Sequence, residues 1–282
     1  MSVYPDSVLQ ERSRVATNGD FRERVRYDLT PRAPYAFGLL AAADVARFFG
    51  VQTITAIEFG VADGAGLLDL CLLAADVTRC TGVGFEIFGF DTGQGLPPLN
   101  DYRDHPEIWT KGDFATTDKD AIERQLPPNA SVIWGEVADT IGQFAVRLRP
   151  EAPIGFVAHD MDIYHSTKSA LEIYRIDPHK ILPVSLAYFD DTLGKPTRIG
   201  SLMRNRWAGQ LRAIEEFNAE NEDRKIDVIR TLKYRRPLYL EQWLEQIHAV
   251  HVLDHPARAV RAARSSLTMD GYRSSSDFDW PL

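Results

Sequence analysis

Sulfur is scarce in this 282-residue chain, which has two cysteines and four methionines. Cys71 and Cys80 lie nine residues apart and form neither a CxxC pair nor a metal-ligand cluster. They read as reduced thiols of a cytosolic protein, which excludes a disulfide framework or a zinc ribbon. Long apolar runs are missing too. The longest, Tyr35–Ala43 and Leu67–Val77, carry or border polar residues and fall short of the roughly 18–20 residues a membrane span needs. The opening MSVYPDSVLQERSRV has no apolar stretch of signal-peptide type. Positive charge is in deficit, with 32 Lys and Arg against 40 Asp and Glu for a net charge of −8, which argues against a nonspecific binder of phosphate backbones. The expectation is a soluble, cytoplasmic protein with neither nucleic acid nor membrane as its partner. The 44% hydrophobic, 26% charged balance is that of a globular chain and excludes collagen and low-complexity disorder. The length suits a core with a sheet of five to seven strands covered by helices.

The first 33 residues are polar and Arg-rich, and predict an irregular or helical arm. Pro34 suits the first turn of a helix, and apolar residues from Ala36 to Phe49 recur at helical spacing up to Gly50, a C-cap candidate. Short β-rich runs then alternate with helical lengths. The predicted strands are Thr53–Phe59, Val83–Phe90, Ser131–Trp134, Ile154–Ala158, Leu182–Phe189, Lys225–Leu232 and Ile247–Leu253. Predicted helices lie at Gly66–Asp76, Lys119–Gln125, Ser166–Tyr174 and Met203–Asn221, with a short one at Leu240–Glu245. This alternation predicts a mostly parallel α/β sheet with helices on both faces. The last two strands lack a full crossover helix between them, so an antiparallel last strand is expected. The division read from the chain is a helical arm 1–50, a main domain 51–255 and a C-terminal extension 256–282.

In such a sheet, ligands bind beyond the carboxyl ends of the strands, where the strand order reverses. The turn after the first strand reads Glu58-Phe-Gly60-Val-Ala-Asp63-Gly64-Ala-Gly66. Glycines there let the backbone approach a ligand, and the following helix offers free amides. The spacing G-x3-G-x-G departs from the dinucleotide fingerprint G-x-G-x-x-G. At the end of the second strand stands Asp91, 25 residues after Gly66, within GFDTGQGLPP. A carboxylate at that place can accept two hydrogen bonds from a ribose diol. Glu86 competes for the role but lies inside the strand pattern. Turn formation beside Gly93 is the plain alternative for Asp91.

The run E-x-G-x-x-x-G-x-G resembles the first motif of class I S-adenosylmethionine-dependent methyltransferases. GFDTGQGLPP is similar to the GFDSFEGLP stretch of the macrocin O-methyltransferase (TylF-like) family. The likeness continues through Lys111-Gly112-Asp113-Phe114, through Gly135-Glu136 with Asp139-Thr140, through the D-x-D-x-Y-x-S-T pattern of Asp160–Thr167, and through Asp190-Asp191, covering about residues 55–195. The resemblance implies a seven-stranded Rossmann-like fold, S-adenosylmethionine held by Glu58, Gly60, Gly64, Gly66, Asp91, Gly135 and Glu136, and methyl transfer to a hydroxyl.

The acids at later strand ends carry their own chemistry. Asp160 and Asp162 follow the fourth strand, and Asp190 and Asp191 the fifth. Carboxylates converging in one cleft need protons, a basic partner or a cation. Oxygen donors without cysteine or clustered histidine favour a hard ion such as Mg²⁺. Helix capping is the plain alternative. The resemblance implies metal ligation by Asp160, Asp190 and Asp191, with Asp162 as a substitute for Asp160. Two departures stand out: Thr192 follows the aspartate pair where the family has tyrosine, and Ile163 occupies the place of a lysine in catechol-type enzymes. The base is therefore open among Asp160, His159 and His165. Tyr102, Trp109 and Phe114 are candidates for a substrate lid or for packing. The charged helix Arg204–Arg224 reads as a solvated face, and Arg258–Arg264 as a weak candidate contact for an acidic partner.

The expected function is a Mg²⁺-assisted, S-adenosylmethionine-dependent O-methyltransferase acting on a hydroxyl of a small molecule or sugar. A second copy of the chain is a candidate partner. A catalytically degenerate binding module is the alternative. A nicotinamide-dependent oxidoreductase stands behind both, because of the glycine spacing and the 50 or so residues before the first strand.

Overall fold

The computed structural model describes residues 3–193 and 205–262. Three helices open the chain: α1 (Asp6–Asn18), α2 (Phe21–Arg26) and α3 (Ala33–Phe49). A capping box starts α2, with Asp20 accepting the Glu23 amide and Glu23 accepting the Asp20 amide. Pro34 lies in the first turn of α3, and Gly50 ends that helix in the left-handed conformation. Every residue from Tyr35 to Ala46 is buried, so α3 lies inside the molecule. Its side chains share one apolar cluster with Ile54, Ala56 and Phe156 of the sheet.

The seven strands are β1 (Thr53–Phe59), β2 (Gly84–Asp91), β3 (Ala130–Trp134), β4 (Ile154–His159), β5 (Ile181–Phe189), β6 (Arg224–Val228) and β7 (Ile247–Val252). They form one sheet in the order β3-β2-β1-β4-β5-β7-β6. The β1–β2, β1–β4, β2–β3 and β4–β5 pairs are parallel. β7 is antiparallel to both β5 and β6. This is the expected Rossmann-like sheet with its last strand reversed. The order turns back between β1 and β4, and the crevice above their carboxyl ends is the natural binding place.

The covering helices are α4 (Ala65–Thr81), α5 (Lys119–Gln125), α6 (Val137–Arg147), α7 (Tyr164–Leu171), α8 (Gly209–Glu220) and α9 (Pro256–Ala262). The sequence reading did not identify α6, although Val137, Ile141 and Phe144 are its buried stripe at helical spacing. The sixth strand is shorter than expected: its ladder with β7 spans Arg224–Val228 against Val252–His248, the Ile229 amide still donates to Ile247 O at 3.1 Å, and a 3-10 turn takes over at Leu232–Tyr234. The helix expected from Met203 starts at Gly209, and Met203 and Arg204 lie outside the described residues. Within the C-terminal extension, the Arg258 guanidinium donates to the Val252 and Pro183 carbonyls at 2.7 Å each. Its remainder from 263 onward, Arg264 included, lies outside the described residues.

Strand alternation splits the core into two layers. Ile54 and Ala56 of β1, Phe156 and Ala158 of β4, and Leu186 and Tyr188 of β5 pack with α3 and α4. Ile57, Phe59, Val157, Ala187 and Phe189 pack on the other side with Phe144 of α6, Leu171 of α7 and Phe217 of α8. The same alternation decides on which side each strand-end residue falls.

Candidate active site

A cavity of about 970 Å³ opens at the switch point. Gly60, Asp91, Gly135, Glu136, Asp160, Asp190, Asp191 and His165 line it, as do Asp162, Trp109 and Phe114. Glu58, Gly64, Gly66 and His159 do not.

Gly60 has a φ of +91°, and a Cβ there would stand 1.7 Å from the Asp160 carbonyl oxygen. Only glycine lets the β1 and β4 exits run so close. The Gly60 amide donates to Phe90 O and the Asp160 amide to Phe59 O, each at 2.9 Å, so this turn also seats Asp160. Asp91 works on the same loop. Its Oδ2 accepts the Val61 and Ala62 amides at 2.9 Å each, and its Oδ1 accepts the Gly93 amide at 2.6 Å. Three of roughly four acceptor positions are thus taken. The expected two-pronged ribose contact is narrowed: as the loop stands, Oδ1 has room for one more donor.

Glu58 lies beneath the loop instead of in the cavity. It is 1% exposed and accepts the Tyr35 hydroxyl at 2.6 Å. A Cβ at Gly66 would sit 2.1 Å from its Oε1, so the glycine makes room for the carboxyl. Burial pushes the Glu58 pKa up to about 8, against the Tyr35 bond and Arg32, which pull it down. Its Oε2 is buried with no hydrogen-bond partner among the described residues.

Asp160, Asp190 and Asp191 converge as expected, with one carboxylate oxygen of each within 4.8 Å of the others. Burial, then Asp190, Asp191 and Asp162, hold the Asp160 carboxyl well above the usual carboxylate range. A divalent cation would offset the repulsion among these carboxylates, and an all-oxygen donor set fits Mg²⁺. The Tyr188 hydroxyl donates to Asp190 Oδ1. Asp191 Oδ2 accepts the Asp162 amide at 2.9 Å, tying the two acidic turns together.

Sequence reasoning missed Gln210 of α8, which is fully buried between those turns. Its Oε1 accepts the Asp191 amide at 2.9 Å and its Nε2 donates to the His159 carbonyl at 3.0 Å. One side chain therefore fixes the spacing of the β4 and β5 exits. Nothing in a Gln-Leu-Arg stretch of a charged helix announces that role.

The two candidate histidines separate. His159, the last residue of β4, is fully buried and sandwiched between Phe59 (ring centroids 5.3 Å apart) and Phe189 (4.4 Å). Its Nε2 meets the Tyr174 hydroxyl at 2.9 Å. Desolvation, then His248, lowers its pKa to about 3. The expectation that it serves as base is corrected: strand alternation turns it away from the cavity and into the core. His165 lines the cavity, and its Nδ1 stands 2.8 Å from Asp104 Oδ2. Asp104 was not singled out from sequence, because it is 61 residues away in the loop between β2 and α5.

No protein-family model matches the sequence, and no curated protein matches it. Solved structures of similar fold do exist. CalS11, a calicheamicin methyltransferase, is 19% identical over 90% of this chain and 95% of its own, with a TM-score of 0.49. An O-methyltransferase from Bacillus cereus in complex with S-adenosylhomocysteine (SAH) is 13% identical over 88% of this chain and 92% of its own, at 0.40. MycE, a methyltransferase of the mycinamycin pathway in complex with Mg, SAH and mycinamycin VI, is 13% identical over 75% of this chain and 48% of its own, at 0.38.

The cavity walls carry seven carboxylates, Asp91, Asp113, Glu136, Asp160, Asp162, Asp190 and Asp191, and no lysine or arginine among the described residues. Trp109 and Phe114 meet edge to face at 5.7 Å and, with Leu96, Pro97 and Pro98, supply an apolar part of the wall. Among the described residues, no helix is long and apolar enough to cross a membrane.

Proposed function

We propose that the protein is an S-adenosylmethionine-dependent methyltransferase that uses a divalent cation, Mg²⁺ by its donor set, to place a hydroxyl of a small molecule or sugar. The observation that carries this reading is the meeting of Gly60 and Ala62 of the glycine turn with three aspartates from two strand ends in one cavity at the switch point. Gly60 gives the backbone room, Asp91 holds the loop with one acceptor position left, and Gly135 and Glu136 form the neighbouring wall. Glu58 supports the loop from below. Asp160, Asp190 and Asp191 would hold the cation. When bound, the cofactor supplies an electrophilic methyl group and the cation lowers the pKa of a hydroxyl it binds. The chain's own contribution is then mainly orientation, since in-line transfer needs the oxygen aimed at the methyl carbon. The acidic walls favour a neutral or cationic acceptor over a phosphorylated one.

Calorimetry with SAH, with and without Mg²⁺, tests the proposal. The protein should bind SAH, and Mg²⁺ should bind the wild type. Asp160→Ala and Asp191→Ala should each weaken Mg²⁺ at least about 10-fold while leaving SAH affinity within a few-fold. Absence of SAH binding under every condition would overturn the reading. Unchanged Mg²⁺ binding in both variants would overturn the metal assignment.

A further inference from the structure

Two elements far apart in the chain meet at the rim of the cavity. Asp104 ends a short 3-10 turn, Tyr102–Asp104, in the loop that also carries Trp109 and Phe114. His165 is the second residue of α7. Asp104 is 0% exposed. Its Oδ1 accepts the His165 amide at 3.0 Å, and its Oδ2 accepts the Asn100 amide at 2.8 Å. The same Oδ2 meets His165 Nδ1 at 2.8 Å. Backbone amides only donate, so both carboxylate oxygens are already acceptors, and the ring nitrogen facing them carries the proton. The neutral imidazole then has its lone pair on Nε2. Among the described residues, no hydrogen bond engages that nitrogen. The ring stands edge-on to Tyr164, centroids 4.8 Å apart, and its side chain is 32% exposed, on the cavity wall.

A helix cap would need only the backbone amide of residue 165. The additional ring contact is the arrangement by which a carboxylate sets a histidine's tautomer and direction. We infer that His165 accepts the proton of the acceptor hydroxyl and that Asp104 is its positioning residue. The inference rests on the methyltransferase reading for the reaction it serves. As the acceptor oxygen bonds to the methyl carbon, its O–H bond breaks and the proton goes to His165 Nε2. The carbon–sulfur electron pair leaves with the cofactor's sulfur, and the imidazolium faces the Asp104 carboxylate. Because Asp104 belongs to the loop that forms the apolar wall, one segment sets both the base and the surface the acceptor packs on.

Nitrogen NMR of ¹⁵N-histidine-labelled protein reads the tautomer without any substrate. The neutral His165 ring should be protonated at Nδ1, and Asp104→Asn should shift it toward the Nε2–H form. Turnover is followed as SAH release from S-adenosylmethionine and Mg²⁺, with catechol and methyl glycosides as acceptors. Asp104→Asn and His165→Gln should each lower kcat by about 10²- to 10⁴-fold with acceptor KM and SAH affinity within a few-fold. Added imidazole should restore part of the rate of His165→Gly. A wild-type ring protonated at Nε2 would overturn the inference, and that measurement decides alone if no acceptor in the set is methylated. A wild-type kcat in either variant would overturn it too. Loss of SAH binding in the wild type would instead sink the methyltransferase reading while leaving the tautomer result standing.

Discussion

His159 and His165 lie six residues apart, on either side of the point where β4 leaves the sheet, and they meet opposite environments. His159 is sandwiched between Phe59 and Phe189 and held neutral by desolvation. His165 lies on the cavity wall with one ring nitrogen tied to a buried carboxylate. The difference teaches that nearness in sequence to an acidic strand end says little about chemistry. In the strand, the period of two assigns a residue to one layer or the other, and His159 follows Val157 into the layer of α6, α7 and α8. Beyond the strand, a helix start and a distant loop decide.

Four substitutions probe this contrast, and the largest effect belongs to the core side. His159→Ala removes a stacked, fully buried ring and should cost about 3 kcal/mol of unfolding free energy in urea titration, as large-to-small core changes do. His165→Gln should stay within about 0.5 kcal/mol of wild type in the same measurement. Equal losses would erase the distinction between the two sites. A pH comparison follows. His159 ionises near pH 3 when folded and near 6.5 when unfolded, so the unfolded chain takes the proton first. Its contribution is complete above pH 6.5 and is lost as pH falls toward 3, about 2 kcal/mol between pH 7 and pH 5. His248, lowered to about 4, adds in the same direction. His159→Phe should therefore show a flatter loss over that interval than wild type, and an unchanged slope would contradict a neutral buried ring. The clamp between the two strand exits is read in metal affinity instead of stability. Gln210→Leu leaves the Asp191 amide and the His159 carbonyl without their partners and should weaken Mg²⁺ about 10-fold by calorimetry, with SAH affinity retained.

Much of the fold was legible. The seven strands fall within a few residues of their expected places, because alternating β-rich runs and helical stretches report burial directly. The reversed last strand was legible from the missing crossover. Of the candidate site, Gly60, Asp91, Gly135, Glu136, Asp160, Asp190 and Asp191 reach one cavity, since turns at the carboxyl ends of parallel strands share an edge. Glu58 was placed at the right strand but one layer below the cavity, where Tyr35 and Gly66 enclose it. Asp104 and Gln210 were not legible: each acts through a contact with a segment about 20 to 60 residues away, and neither stands in a recurring pattern.

The sequence by itself determined the alternation of strands and helices, the glycine turn and the acids at three strand ends, because these depend on local periodicity and backbone freedom. It also determined that a −8 chain concentrates part of its negative charge at those ends. Only the tertiary structure decided which histidine meets the cavity, which carboxylate holds it, and how many of Asp91's lone pairs remain for a ligand. Those outcomes depend on hydrogen bonds and ring contacts between segments distant in the chain, whose partners are chosen when the helices and loops close over the sheet.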